Sequence, residues 1–337
     1  MRIAYVGGSN GLVQGGVGRT LEEQLGSDFV NFSLGDSPSL RGVEFLLRSD
    51  GMEEFDAILF DYALNDLIFE SANTIDPFVQ REWLEAMLRN EVLRKRLFIA
   101  TSCGSNALVR ARAGASPLLR NYISLAEDHG VPLIDGVSVI DAMVRKSGAA
   151  EVFHQHNHFS PMAVAELCSL LVSSLHVSQA KAARTGSGEV AGRAEISSVT
   201  LVASGDLGME RFCTSAYEGE FVNLRPGQRL EIKALEGRLL GFYGLIRPES
   251  GFLAIESPRE RVVKPLGHMF NLKKPFAALR HLTRPIDFRA GETLVMSVSG
   301  DPESGPEGRY DHTQGANAAL LDGKEPRLGI GPLIFLT

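Results

Sequence analysis

Arg2-Ile3-Ala4-Tyr5-Val6-Gly7-Gly8-Ser9-Asn10-Gly11 is an apolar run that breaks on two glycines and a serine. Such a run, bounded by a turn signal, reads as a strand over residues 2–6. The segments after this strand decide the fold. Residues 17–25 have helical spacing, with Val17, Leu21 and Leu25 on one face. Residues 29–32 read as a second strand, 40–47 as a helix and 55–60 as a buried third strand. Proline is favoured in a first helical turn, so Pro77 starts a long helix that runs to residue 93. Residues 96–100 read as a fourth strand, 117–129 as a helix and 131–134 as a fifth strand. Residues 137–144 and 162–175 are the closing helices. Strands alternating with helices at this spacing predict an α/β domain over residues 1–178, a parallel sheet covered on both faces.

The pattern then changes. Gln179-Ala180-Lys181-Ala182-Ala183-Arg184-Thr185-Gly186-Ser187-Gly188 is small and polar, and residues 179–193 read as a linker. Beyond it the periodicity becomes alternating. Residues 198–203, 229–234, 239–245, 252–256 and 293–298 are short strand candidates. Turn signals separate them at Pro226-Gly227, Pro248-Glu249-Ser250-Gly251, Ala290-Gly291 and Gly300-Asp301-Pro302. This predicts an all-β sandwich or jelly-roll domain over residues 194–337. The stretch 301–328 is rich in Gly, Pro and Asp and reads as a long loop, after which residues 330–336 return to strand character.

Composition narrows the function classes. A length of 337 residues suits two domains, each with its own core. The formal net charge of -7 provides no basic field to attract phosphates, which disfavours nucleic acid as a partner. No stretch reaches the roughly 18 apolar residues of a membrane helix, so no membrane partner is expected. Cys103, Cys168 and Cys213 are odd in number and widely spaced, and read as reduced thiols. No charged segment leads into an apolar secretory core at the start, and the expected location is cytoplasmic.

In an open parallel sheet, ligands bind beyond the carboxyl ends of the strands. Gly7-Gly8-Ser9-Asn10-Gly11 comes after the first strand, Ser33-Leu34-Gly35-Asp36 after the second, and Asp61-Tyr62-Ala63-Leu64-Asn65-Asp66 after the third. Thr101-Ser102-Cys103-Gly104 comes after the fourth. Phe153-His154-Gln155-His156-Asn157-His158 precedes the last helix. One edge thus gathers a serine on a tight turn, a glycine amide, an asparagine amide and a histidine. These are the parts of an acyl-transfer site: nucleophile, oxyanion donors and general base.

The same positions resemble the SGNH (GDSL-like) hydrolase family over residues 1–175. Gly8-Ser9-Asn10 matches the placement of that family's nucleophile block, and Gly35 that of its oxyanion glycine. Ala63-Leu64-Asn65-Asp66 matches its Gly-x-Asn-Asp block, with alanine in place of glycine. Gln155-His156-Asn157-His158 matches its Asp-x-x-His block, with glutamine in place of aspartate. The resemblance implies a flavodoxin-like α/β fold, Ser9 as nucleophile, His158 as base, and Gly35 and Asn65 as oxyanion donors. The ring of His158 is then oriented by neutral Gln155 or by a carboxylate such as Asp36 or Asp66. The resemblance also implies an esterase or O-acyl (acetyl) transferase that acts on a carbohydrate or other small acyl ester. No cofactor is expected beyond an acyl donor. The second domain suggests carbohydrate by fold analogy.

Other readings stand beside this one. Gly7-Gly8-Ser9 meets neither the dinucleotide nor the phosphate-loop pattern. Asn65 also suits a helix cap or turn. Gly35-Asp36-Ser37 spells the family's signature letters, but it stands after the second strand, where the oxyanion glycine belongs, so Ser37 reads as a decoy. Alternate side chains of an extended segment share a side. His154, His156 and His158 therefore form an alternative metal site, and with it an alternative metal-dependent hydrolase. A non-catalytic carbohydrate-binding protein built on a degenerate domain is the third reading. Cys103 and Cys168 read as packing residues.

Overall fold

The computed structural model describes residues 1–155, 157–182, 195–202, 206–214, 217–266, 274–299, 308–310 and 325–337. The chain divides into two compact units. The first comprises Met1–Ala72 and Pro77–Arg193, the second Asn73–Asp76 and Ala194–Thr337. No helix among the described residues is long and apolar enough to cross a membrane.

The first unit holds strands β1 (Ile3–Gly7), β2 (Phe29–Asn31), β3 (Ala57–Asp61), β4 (Leu97–Thr101) and β5 (Leu133–Asp135). They form one sheet in the order β2-β1-β3-β4-β5, with every pairing parallel. Around it lie α1 (Val17–Leu25), α2 (Ser39–Arg48), α3 (Ala63–Ser71), α4 (Pro77–Arg89), α5 (Glu91–Arg94), α6 (Ser105–Arg112), α7 (Pro117–His129), α8 (Gly136–Ser147), α9 (Ala149–Val152) and α10 (Pro161–Ala182). A short hairpin, β6 (Phe153–Gln155) and β7 (His158–Phe159), stands apart from the sheet. Ile3, Tyr5, Ala57 and Leu59 pack into a cluster with Val17, Leu21, Leu167 and Leu171. Ala4, Val6, Ile58 and Phe60 point the other way and are also buried. Burial on both faces is why these strands read as continuous apolar runs. The chain passes from β1 to β2 on one side and then to β3 on the other. The switch point therefore lies at the carboxyl end of β1, immediately before Ser9.

The helix expected over residues 77–93 breaks at Asn90. Its Oδ1 accepts from the Val92 and Leu93 amides, each at 3.1 Å, and caps a separate helix α5. Helices α3 and α6 arise from stretches that read only as strand-end loops. Helix α10 continues to Ala182, four residues into the expected linker; residues 183–194 lie outside the described residues.

The second unit is a β-sandwich. One sheet runs β15 (Phe276–Phe288), β12 (Gly237–Ile246), β18 (Leu328–Leu336), β10 (Glu218–Leu224), β9 (Gly208–Cys213), with β8 (Ile196–Val199) also on β18. The other runs β11 (Arg229–Lys233), β16 (Thr293–Ser299), β13 (Phe252–Glu256), β14 (Arg261–Pro265), β17 (Gly308–Tyr310). All pairings are antiparallel except β14 with β17. Val222, Phe242, Ile246 and Leu333 of one sheet share a core with Leu253, Ile255, Val262 and Met296 of the other. Asn73–Asp76 group with this unit, and the Thr74 carbonyl lies 2.8 Å from His281 Nε2.

Five of these strands, β9, β10, β14, β15 and β17, are not expected from the sequence. Charged residues interrupt β9 and β15, and Pro285 within β15 is tolerated because that strand is an edge. Strand β17 lies inside the stretch expected to be a long loop. Residues 301–307 and 311–324 are outside the described residues.

One buried carboxylate ties the first unit together beneath its binding edge. Asp66 is 0% exposed. It accepts from the Ser39 amide at 2.8 Å, Gln80 Nε2 at 2.7 Å and Tyr122 Oη at 2.7 Å. These donors lie on α2, α4 and α7, while Asp66 itself lies on α3. Trp83 Nε1 adds a bond to Ser39 Oγ at 2.8 Å. Burial pushes the Asp66 carboxyl above its ordinary range, and the donated hydrogen bonds pull against that. Replacement of Asp66 by alanine strands three buried donors. Asp66→Ala should therefore cost about 3–5 kcal/mol and lower Tm by roughly 10 °C in a calorimetric scan.

Candidate active site

The turn after β1 carries the candidate nucleophile. Ser9–Gly11 form a 3-10 turn, and the Leu12 and Val13 amides donate to the Ser9 carbonyl at 2.9 and 3.0 Å. The Gly8 amide donates to the Asp61 carbonyl at 3.3 Å, which pins the turn to the end of β3. Glycine is required here. A Cβ on Gly8 would stand 2.1 Å from Asn65 Oδ1, so the Asn65 amide packs against the backbone next to Ser9.

The loop after β2 closes the other side. The Leu34 amide donates to the Gly7 carbonyl at 3.0 Å. A Cβ built on Gly35 would be 3.7 Å from the Ser9 Cβ, so Gly35 faces the serine. Asn65 Nδ2 donates one hydrogen to the Ser37 carbonyl at 2.9 Å, which orients the amide and leaves its other hydrogen for a second acceptor. Ser9, Gly35 and Asn65 are thereby gathered at the switch point. Ser37 is 0% exposed, with its hydroxyl on the Gly35 carbonyl at 3.2 Å. A side chain so enclosed presents no nucleophile to a substrate.

His158 reaches this edge on the β6–β7 hairpin. Phe153 and Phe159 anchor the hairpin in the core with ring centroids 5.8 Å apart. Asn10 Nδ2 donates to the Asn157 carbonyl at 3.2 Å and joins the hairpin to the nucleophile turn. His158 Nδ1 lies 3.1 Å from Gln155 Oε1. A neutral amide oxygen therefore holds one ring nitrogen, and the ring's other nitrogen, Nε2, is left for a substrate-side role. Neither Asp36 nor Asp66, the expected carboxylate alternatives, is hydrogen-bonded to the ring. Asp66 is committed to the tie among helices. Asp36 sits in the Gly35–Ser37 turn with a left-handed φ of 51°. The Ser9 hydroxyl makes no hydrogen bond among the described residues.

His154 is exposed beside His158, while His156 lies outside the described residues. Among the described residues no cluster of three or more His, Cys, Asp or Glu is placed to hold a metal ion. Cys103 and Cys168 are buried, and burial pushes both thiols up to about 12, so neither supplies a thiolate. Two features of the site escape a reading of residue type and order: the side chain of Asn10, and a polar island beneath the turn. In the island Tyr5 Oη donates to Asp61 Oδ2 at 2.6 Å, and Ser102 Oγ to Asp61 Oδ1 at 3.4 Å. Its visible signal is a carboxylate ending an otherwise apolar strand.

The fold so described is a parallel α/β unit followed by a β-sandwich. Solved structures of a two-domain esterase share it. A two-domain esterase active on acetylated mannans superposes with a TM-score of 0.67 at 12% identity, covering 100% of this chain and 91% of that one. The same type of esterase co-crystallised with mannopentaose gives 0.65 at 11% identity, covering 100% and 90%. A lipase/acylhydrolase from Enterococcus faecalis gives 0.43 at 17% identity, covering 53% of this chain and 97% of that one. No family model matches the sequence, and no curated protein matches it.

Burial, and secondarily the positive field of His154, hold His158 below the ordinary histidine range. In the base role expected of His158 the ring must be neutral, so a depressed value would extend that role toward acid. The acid limb of kcat/KM should fall below about pH 6.5. His154→Ala removes the second cause and should move that limb upward in a pH–rate profile.

Proposed function

We propose that the protein is a hydrolase of O-acyl esters, carried by a Ser9–His158 dyad, with an acylated carbohydrate as substrate. The observation that supports this most is the convergence at one switch point of Ser9, the Gly35 backbone and the Asn65 amide, with the histidine hairpin tied to the same turn. His158 Nε2 takes the proton of Ser9 Oγ as the serine attacks the ester carbonyl. The Ser9 and Gly35 amides and the free Asn65 hydrogen stabilise the oxyanion. Protonated His158 returns its proton to the leaving alkoxide, and water resolves the acyl-enzyme; a sugar hydroxyl in its place makes the same chemistry a transfer. Gln155 fixes the tautomer but carries no charge to stabilise the imidazolium. The dyad therefore relies on substrate placement more than a full triad does. The carbohydrate reading rests on the appended sandwich and on the two-domain esterase of shared fold, which is active on acetylated mannans.

A second reading draws on the unformed Ser9–His158 bond and on Gln155: a carbohydrate-binding protein with little chemistry. The metal-dependent reading on His154, His156 and His158 is tested alongside it. Hydrolysis of p-nitrophenyl acetate and of acetylated mannan, each with and without chelator, separates the three. Activity that survives chelation supports the serine mechanism, activity lost to chelation the metal one, and no activity the binding protein.

Ser9→Ala should lower ester hydrolysis by about 10³-fold or more, as loss of a nucleophile does. Ser37→Ala should change it far less. Mass spectrometry after a serine-directed phosphonate should place the adduct on Ser9; an adduct on Ser37 would overturn the assignment.

A charged acceptor behind the base should help it. Gln155→Glu places a carboxylate near His158 Nδ1, and an adjacent anion favours the imidazolium. The acid limb of kcat/KM should move upward, and kcat on an unactivated ester should rise by about 10-fold.

A further inference from the structure

We infer that Asn10 is a positioning residue: its side-chain amide holds the hairpin that carries the base in register with the turn that carries the nucleophile. The inference rests on the Ser9–His158 reading and adds to it a residue outside the dyad and the oxyanion donors.

Asn10 is adjacent to Ser9 in the same 3-10 turn, and Asn157 is adjacent to His158. The bond from Asn10 Nδ2 to the Asn157 carbonyl, 3.2 Å long, thus spans 147 residues of sequence between the immediate neighbours of nucleophile and base. Asn10 is 6% exposed, so its amide gives up water and needs this acceptor.

The hairpin has few other restraints. Among the described residues it pairs only with itself, through two short strands with an irregular register. A two-stranded hairpin of this size has little stability of its own. Its base is secured by Phe153 and Phe159 in the core and by the Ser160 amide on the Val152 carbonyl at 2.9 Å. Those restraints lie at its open end. Gln155, Asn157 and His158 lie at the other, and there Asn10 supplies the bond to the sheet edge. The turn that bears Asn10 is pinned through Gly8 to Asp61 and packed against Asn65. A displacement of about 1 Å between reacting groups is enough to cost about 10²-fold in rate.

The test compares Asn10→Ala, which removes the amide, with Asn10→Asp, which keeps its volume but cannot donate in its ionised form. Steady-state kinetics on p-nitrophenyl acetate at pH 8 are read beside hydrogen exchange of the β6–β7 hairpin and of β1 and β3. Both variants should lower kcat by about 10- to 100-fold with KM changed by less than about threefold. Hairpin exchange should accelerate about tenfold or more, with β1 and β3 unchanged. Should Asn10→Asp keep wild-type kcat and hairpin protection, the residue acts through packing alone and the inference is overturned. Uniform acceleration through β1 and β3 overturns it as well, since the effect is then general destabilisation. A wild-type protein without esterase activity would count against the Ser9–His158 reading instead, and the exchange arm would still decide whether Asn10 holds the hairpin.

Discussion

The buried carboxylate of Asp66 is the constraint on which the arrangement of the proposed site depends. Donors from α2, α4 and α7 converge on it, and it belongs to α3. A group so buried is tolerable only when hydrogen-bonded, so the four helices hold one arrangement or leave polar atoms unpaired. The residue before it, Asn65, is thereby set against Gly8. The residue it grips, Ser39, ends the loop that brings Gly35 to Ser9. Two of the proposed oxyanion donors are positioned by a side chain that never meets the substrate.

The candidate base, His158, is held by different means. The candidate nucleophile and oxyanion donors follow the carboxyl ends of β1, β2 and β3, where the Gly8–Asp61 and Leu34–Gly7 hydrogen bonds and the Asp66 tie hold them. His158 stands on a hairpin outside the parallel sheet, secured by two aromatic rings and a few hydrogen bonds. The proposed chemistry demands comparable precision from a closely restrained part and a loosely restrained one. Neutral Gln155 behind the ring adds to this: without a charged partner, more of the rate depends on where the ring is held.

Much of the first unit is legible in the chain. Both-face burial makes β1, β3 and β4 unbroken apolar runs, and proline, serine and glycine mark the ends of α7 at their expected places. The second unit is less legible. Strand β9 is largely exposed and carries charge, and β15 buries Arg280 and His281 among its apolar residues, so neither alternates cleanly. Asn90 reads as mid-helix because a capping asparagine and an interior one look alike until the backbone turns. At the site, residue type and order single out Ser9, Gly35, Asn65 and His158. Asp66, a candidate partner for the histidine by its chemistry, is a structural tie instead, because a carboxylate's partner is a matter of distance and not of sequence.

What the amino-acid sequence determines by itself is local: which runs are apolar on both faces, where glycine alone fits, and in what order candidate groups succeed the strands. Those properties come from side-chain chemistry and near-neighbour geometry, and they suffice for the α/β class and the edge where a site must lie. What only the tertiary structure decides is which distant groups meet. Gln155 rather than a carboxylate stands behind His158, Ser37 is enclosed, and Asn10 meets Asn157 across the whole first unit. Hydrogen bonds between residues remote in sequence depend on a few tenths of an ångström set by packing. No run of letters encodes that distance on its own.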